Sequence, residues 1–218
     1  MPETSRKDYW NRVAEDKSFT TPLPLEEFAA LTPRDGAILD IGCGYGRVLA
    51  ELAAHGFTDL RGLDFSEAMI ARGMREFPGL DLAVRTGPDT GLPDESMDAV
   101  ILFAVLTCIP DDDEQAALLA EAGRVLKPGG LLHVNDFLLN DDDRNLRRYA
   151  ESEGKHGPYG CFELSEGAVL RHHSPDYLRR LLGDFRTLVF RETVFTTMNG
   201  NRSRGVCYFG RKPGPERG

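Results

Sequence analysis

The chain has 218 residues, with 26 Lys and Arg against 35 Asp and Glu and a formal charge of −9, a balance that disfavours a phosphate-backbone partner. Hydrophobic content of 41% and charged content of 28% fit an ordinary globular fold, and no apolar run or signal-peptide core points to a membrane. Four scattered cysteines without a Cys-x-x-Cys pair suggest a reducing cytoplasm and no zinc site.

Residues 1–34 read as an N-terminal helical cap. Tyr9, Trp10, Val13 and Ala14 form a weak helical stripe, and Leu25, Phe28, Ala29 and Leu31 form a second one after two prolines. Tyr9, Trp10 and Phe19 either pack this cap on a sheet edge or close over a ligand. Next comes Ile38-Leu-Asp-Ile-Gly-Cys-Gly-Tyr-Gly-Arg47, an apolar strand running into a glycine loop. The spacing predicts a helix from Tyr45 to His55, so strand, glycine turn and helix N-terminus together make a nucleotide-type site.

A second strand, Asp59 to Asp64, ends in an acid placed one strand–helix unit after Asp40, where a carboxylate can hold both hydroxyls of a ribose. Ser66 caps the helix Glu67–Glu76, which leaves Asp64 spare. Leu80–Arg85 is the third strand and Asp98–Val105 the fourth, with a loop over 86–93 between them. A helix from Asp111 stops at Lys127-Pro-Gly-Gly130, and Leu131–Phe137 is the fifth strand. Strands alternating with helices imply a doubly wound, mostly parallel sheet.

The pattern changes over 138–173, too long for an ordinary connection and suggestive of a substrate lid. Asn140 is expected to cap a short helix there, followed by a small hairpin. Ser174-Pro175 starts another helix. An antiparallel hairpin with its turn at Asn199-Gly200 closes the sheet, and 211–218 reads as a frayed tail. The whole is expected to be a single domain.

With these motifs in place, the chain resembles the class I S-adenosylmethionine-dependent methyltransferases of small-molecule type. Ile38-Leu-Asp-Ile-Gly-Cys-Gly-Tyr-Gly looks like the family's first motif, Gly-Leu-Asp64-Phe-Ser like its second, and Leu126-Lys-Pro-Gly-Gly-Leu-Leu like the approach to strand five. The resemblance implies an α/β Rossmann-like sheet of seven strands, order 3-2-1-4-5-7-6 with strand 7 antiparallel. It also implies S-adenosyl-L-methionine as cofactor. Its site would draw on Tyr9, Asp40, Gly42, Gly44, Gly46, Arg47, Asp64, Phe65, Met69, Phe103 and Ala104. Pro88 stands where the family often has an acid for the adenine amino group, and Asp89 is carried over as its substitute.

Methyl transfer is an in-line displacement at an already activated carbon, so positioning is the main lever and no triad is needed. Candidate bases are Asp136, at the tip of strand five, Glu163, within the lid, and His172 and His173, at its end. His133 lies mid-strand and reads as a core histidine. Trp10, Thr107, Tyr149, Tyr159 and Phe162 are candidate substrate contacts. The expected reaction is methylation of a thiol, amine or hydroxyl of a metabolite, with no nucleic-acid or membrane partner, no metal, and an open oligomeric state. Two alternatives stand beside it. A nicotinamide-dependent oxidoreductase would need Gly-x-Gly-x-x-Gly, whereas position 47 is Arg; a non-catalytic protein could bind the same cofactor.

Overall fold

The computed structural model describes residues 3–197 and 200–214. Its main sheet is built on β1 (Ala37–Ile41), with β2 (Asp59–Asp64) and β3 (Asp81–Val84) on one side. On the other side lie β4 (Met97–Phe103), β5 (Leu126–Phe137), β9 (Arg202–Arg211) and β8 (Arg186–Thr196). The order is β3-β2-β1-β4-β5-β9-β8; β1 to β5 run parallel, and β9 is antiparallel to both neighbours. This is the expected seven-strand order, with a separate hairpin of β6 (Cys161–Glu163) and β7 (Val169–Arg171) between β5 and β8.

Successive side chains of a strand point to opposite faces, and the two cores follow that rule. Leu39, Val100, Leu102, Leu132 and Val134 pack on one face with α5 (Asp112–Val125) and α7 (Pro175–Leu181). Ile38, Ala99, Ile101 and Leu131 pack on the other with α2 (Leu25–Leu31) and α3 (Arg47–Ala54). Truncating one of these fully buried leucines to alanine costs about 2–5 kcal/mol. α3 starts two residues later than the periodicity predicts, because Gly46 takes a left-handed conformation (φ +83°) just before it. α4 (Glu67–Glu76) has the expected bounds, and Ser66 caps it by accepting from Met69 N–H at 3.1 Å. β5 begins at Leu126, so the Lys127-Pro-Gly-Gly segment lies within the strand and not ahead of it.

α1 (Glu3–Val13) is tied to α4 by polar contacts. Asn11 Oδ1 accepts from Ser66 Oγ and from Ala68 N–H, and Arg72 donates to the carbonyls of Ala14 and Lys17. α6 (Asp143–Ser152) is capped by Asp142, which accepts from Asn145 N–H at 3.2 Å; Asn140 was the expected cap. Asn140 is instead buried against β9: its amide donates to Leu138 O and Ser203 Oγ, and its carbonyl accepts from Arg204 N–H. The lid hairpin then meets the cap at Glu166. That carboxylate pairs with Lys17 at 3.1 Å and accepts from Tyr9, while its carbonyl accepts from Arg12. The expected turn residue Asn199 and the tail positions 215–218 lie outside the described residues.

Candidate functional site

A cavity lies outside the carboxyl ends of β1, β2 and β4, where ligands bind in open α/β sheets. Its floor is Asp40, the loop at Gly42, Cys43 and Gly44, Asp64 with Phe65, and Phe103 with Ala104. Cap residues Trp10 and Phe19 and α4's Met69 form a second wall; Phe19 stacks on Tyr45 with centroids 5.1 Å apart. The lid supplies Arg144, Arg148, Phe162, Leu170 and His172, and Phe137 and Ser203 complete that end.

Gly44 has φ +56°, and a Cβ there would sit 2.6 Å from the Phe19 ring. The bare backbone is what allows the cap to approach, and it leaves the Gly44 N–H to donate to Asp64 Oδ2 at 2.9 Å. Ser66 N–H holds the other Asp64 oxygen at 2.8 Å. Asp64 is therefore fixed, with lone pairs to spare. Ala104 is left-handed too (φ +57°), with its N–H donating to Asn135 O, so β4 turns sharply at the cavity edge.

Asp40 is in a different condition. It is 1% exposed, and neither carboxylate oxygen has a hydrogen-bond partner among the described residues. Burial pushes its pKa up to about 7, helped by the charge of Asp64 and opposed by Arg47. A buried, unpaired acceptor of this kind is costly unless a ligand donates to it. Burial likewise raises Asp64, against the backbone N–H groups that favour its charged form.

A family model described as "Methyltransferase domain" matches residues 38–130, the stretch from β1 through the floor of the cavity. The probable S-adenosylmethionine-dependent methyltransferase of Mycolicibacterium smegmatis is 36% identical over 59% of this chain and 45% of its own length. The 27-O-demethylrifamycin SV methyltransferase of Amycolatopsis mediterranei is 29% identical over 68% of this chain and 57% of its own. The chain thus spans about half the length of these curated relatives. A solved S-adenosylmethionine-dependent methyltransferase from Methanosarcina mazei superposes with a TM-score of 0.82 at 26% identity, over 89% of this chain and 100% of that one.

Residues 38–130 thus match a methyltransferase domain, and the fold around them is that of the class I S-adenosylmethionine-dependent methyltransferases. Similarity to these enzymes supports S-adenosyl-L-methionine as cofactor, and the cavity has matching donors and acceptors. The unpaired Asp40 carboxylate suits an ammonium, and the spare lone pairs of Asp64 suit vicinal hydroxyls. Neither alternative, oxidoreductase or non-catalytic binder, is favoured by this kinship.

The cavity wall gathers Trp10, Asp40, Gly42, Gly44, Arg47, Asp64, Phe65, Met69, Phe103, Ala104, Thr107, Phe162 and His172 from the positions expected. Others fall elsewhere. Tyr9 packs on Val13 and Ala168 and reaches Glu166, so it joins cap to lid; burial pushes its phenol up to about 12. Gly46 faces Leu80 and Leu82 behind the loop. Asp89 lies in the outer loop, accepting from Gly91 N–H, and is not part of the cavity lining. Tyr159 is 58% exposed, so it is no wall for a substrate.

The candidate bases separate as sharply. Asp136 is fully buried beneath the cavity and accepts from the N–H groups of Thr107 and Phe137. It clamps the 3-10 turn Leu106–Cys108, and burial raises it to about 7. His173 is buried between Gln115, which donates to its Nε2, and Phe137 O, which accepts from Nδ1. Both are structural at these positions. Thr107 borders the cavity, yet its hydroxyl donates to Arg171 O at 2.8 Å. His133 is the expected core histidine, with Nδ1 donating to Tyr208 O and its ring stacked on Phe209.

His172 alone among the expected bases faces the cavity. Tyr149, itself buried outside the cavity wall, lies 2.6 Å from His172 Nδ1 and accepts from Asn140 N–H. Asn140 Nδ2, which can only donate, also approaches Nδ1 at 3.5 Å, so the surroundings of Nδ1 suit an acceptor and the Tyr149 hydroxyl is assigned as donor to it. The remaining ring proton of His172 is then on Nε2. Burial, reinforced by Arg148 and Arg144, lowers the imidazole to about 3. His172 is a neutral N–H donor.

Arg144, Arg148 and Phe137 are wall residues that the sequence reading passed over. The two arginines stand four residues apart, which puts them on one face of α6.

Proposed function

We propose that this methyltransferase transfers a methyl group to a small-molecule acceptor, with Asp40 and Asp64 as its cofactor anchors. The observation that carries this reading is Asp40, a buried carboxylate with two unpaired oxygens beside a glycine loop. Asp40 would pair with the cofactor's amino group and Asp64 would accept from its ribose hydroxyls. Phe65 and Met69 would flank the adenine, with the Gly42–Gly44 backbone along the methionine portion. S-adenosylmethionine supplies a methyl carbon already activated by a positive sulfur.

What this chain adds is alignment and exclusion of water. Trp10 and Phe19 cover the donor, while Phe103, Ala104 and Phe137 line the space beyond it. Among the described wall residues none is left as a base for a hydroxyl: Asp40 and Asp64 are taken by the cofactor, His172 is assigned its proton on Nε2, and Asp136 lies outside. A thiol reacting as its thiolate, or an amine as its free base, is therefore favoured over an alcohol. Four free cysteines accord with a reducing, cytoplasmic setting.

Calorimetry with S-adenosylmethionine and with NAD tests the reading. The first is expected to bind and the second not; binding of NAD alone would overturn it.

A further inference from the structure

Two guanidinium groups share the lid wall with one long ion pair between them, from Arg144 to Asp142. Arg144 and Arg148 stand four residues apart on α6, and both line the cavity half-buried. Arg147, between them, is exposed. Arg144 has one carboxylate near it, Asp142 at 3.8 Å, whose oxygens are already engaged in capping α6. Among the described residues Arg148 makes no ion pair; its guanidinium lies over the Phe162 ring, 5.2 Å from the centroid. Burial and the charge of Arg144 both disfavour its cation. Like charges held together in a half-buried wall are destabilising unless an anion lies between them.

The other cations at this cavity are already matched. Lys17 pairs with Glu166; Arg47 pairs with Glu51 and donates to Thr21 O. The acids of the wall, Asp40 and Asp64, belong to the donor end, under the glycine loop. On the lid side the polar group nearest the arginines in role is His172, whose Nε2–H is a further donor. Phe162, Leu164, Leu170 and Phe137 give that end its apolar surface, with the uncharged Ser203 beside them.

We infer that the methyl acceptor is an amphipathic anion, an apolar body bearing a carboxylate or a phosphate, which Arg144 and Arg148 grip with the His172 Nε2–H beside them. The planar fork of each guanidinium matches either oxyanion, and Phe162 holds one fork from behind. This rests on the methyl-transfer reading for its sense, but the anion site is a property of these side chains alone. It also gives the lid a task distinct from shielding: it selects acceptors by charge.

The test compares 3-phenylpropionate and phenyl phosphate with uncharged 3-phenylpropionamide, titrated into the protein with and without S-adenosylhomocysteine. At least one anion is expected to bind about tenfold or more tighter than the amide, the increment of one charged hydrogen-bond pair. Arg144→Gln and Arg148→Gln are each expected to remove most of that preference; Arg148→Lys is expected to keep part of it, and Arg147→Gln all of it. Affinity for S-adenosylhomocysteine should be unchanged in all four. Whichever anion binds better identifies the oxyanion. Equal binding of amide and both anions by the wild type would overturn the inference, as would equal losses in Arg147→Gln and Arg148→Gln. Failure of S-adenosylhomocysteine to bind would strike the cofactor reading and leave the anion comparison standing.

Discussion

The two ends of the cavity are built in different ways. The donor end is made of backbone and two acids fixed by the sheet: Gly44 N–H and Ser66 N–H hold Asp64, and Asp40 stands on β1 itself. The lid end is made of side chains from α6, the hairpin and β9, gathered by Asn140 and by the Tyr149–His172 pair. A reactive group common to every turnover can be met by rigid, short-range geometry. An acceptor that varies between relatives is met by a long insertion whose residues can change without disturbing the sheet.

Substitutions should therefore strike one end and spare the other. The largest effect is expected for Asp64→Ala, which removes an acceptor fixed by two backbone donors: about 100-fold weaker S-adenosylmethionine binding by calorimetry, corresponding to two hydrogen bonds to a charged group. Anion binding at the lid should be unchanged, and a loss at both ends would mean that the ends are not separable.

Asp40 gives a pH signature. Its pKa near 7 means that the free protein holds a proton there which pairing with an ammonium expels. Affinity should accordingly rise by up to about tenfold per pH unit as pH increases from 5 toward 7, then level off. Asp40→Asn should show weaker, pH-independent binding, and an equally steep profile in that variant would remove Asp40 from the donor end.

Tyr149→Phe acts on the lid end. Losing the bond to Nδ1 should lower stability by about 1 kcal/mol in denaturant unfolding. Nitrogen-15 shifts should report the Nε2–H form of His172 in the wild type and a mixture of tautomers in the variant. Because this imidazole is lowered to about 3, activity should show no acid limb near pH 6.5 attributable to it.

The smallest equilibrium effect is expected for Glu166→Ala, which opens the clasp between cap and lid. An exposed pair such as Lys17–Glu166 is worth about 0–1 kcal/mol. Stopped-flow release of S-adenosylhomocysteine should nevertheless quicken, since Trp10 and Phe19 on the cap cover that end. Unchanged release would separate the clasp from cofactor exchange.

Much of the donor end was legible in the sequence because its information is local. An apolar run, three glycines and an acid one strand–helix unit later define it, and the sheet order follows from connection rules. The family resemblance added the cofactor. The lid was not legible in that way. Asp136 and His173 read as candidate bases by their places near strand ends, but their solvation depends on how the lid folds back over them. Tyr9 and Tyr159 have the composition of an aromatic wall; only tertiary packing sends one to Glu166 and the other to solvent. Arg144 and Arg148 resemble ordinary surface charges of a short amphipathic helix. Their half-burial is a long-range outcome, and no spacing within α6 could reveal it.

Ala104 sets a limit on how this protein can be improved. A left-handed alanine is held about 1–2 kcal/mol above an ordinary conformation, so glycine at this position would relieve strain at the cavity's edge. It would also free the backbone that carries Val105 against Gly42, where a Cβ would come within 2.6 Å. Thermostability gained there would be drawn from the stiffness that keeps the donor loop in shape, which makes position 104 a poor choice for engineers who want a hardier catalyst.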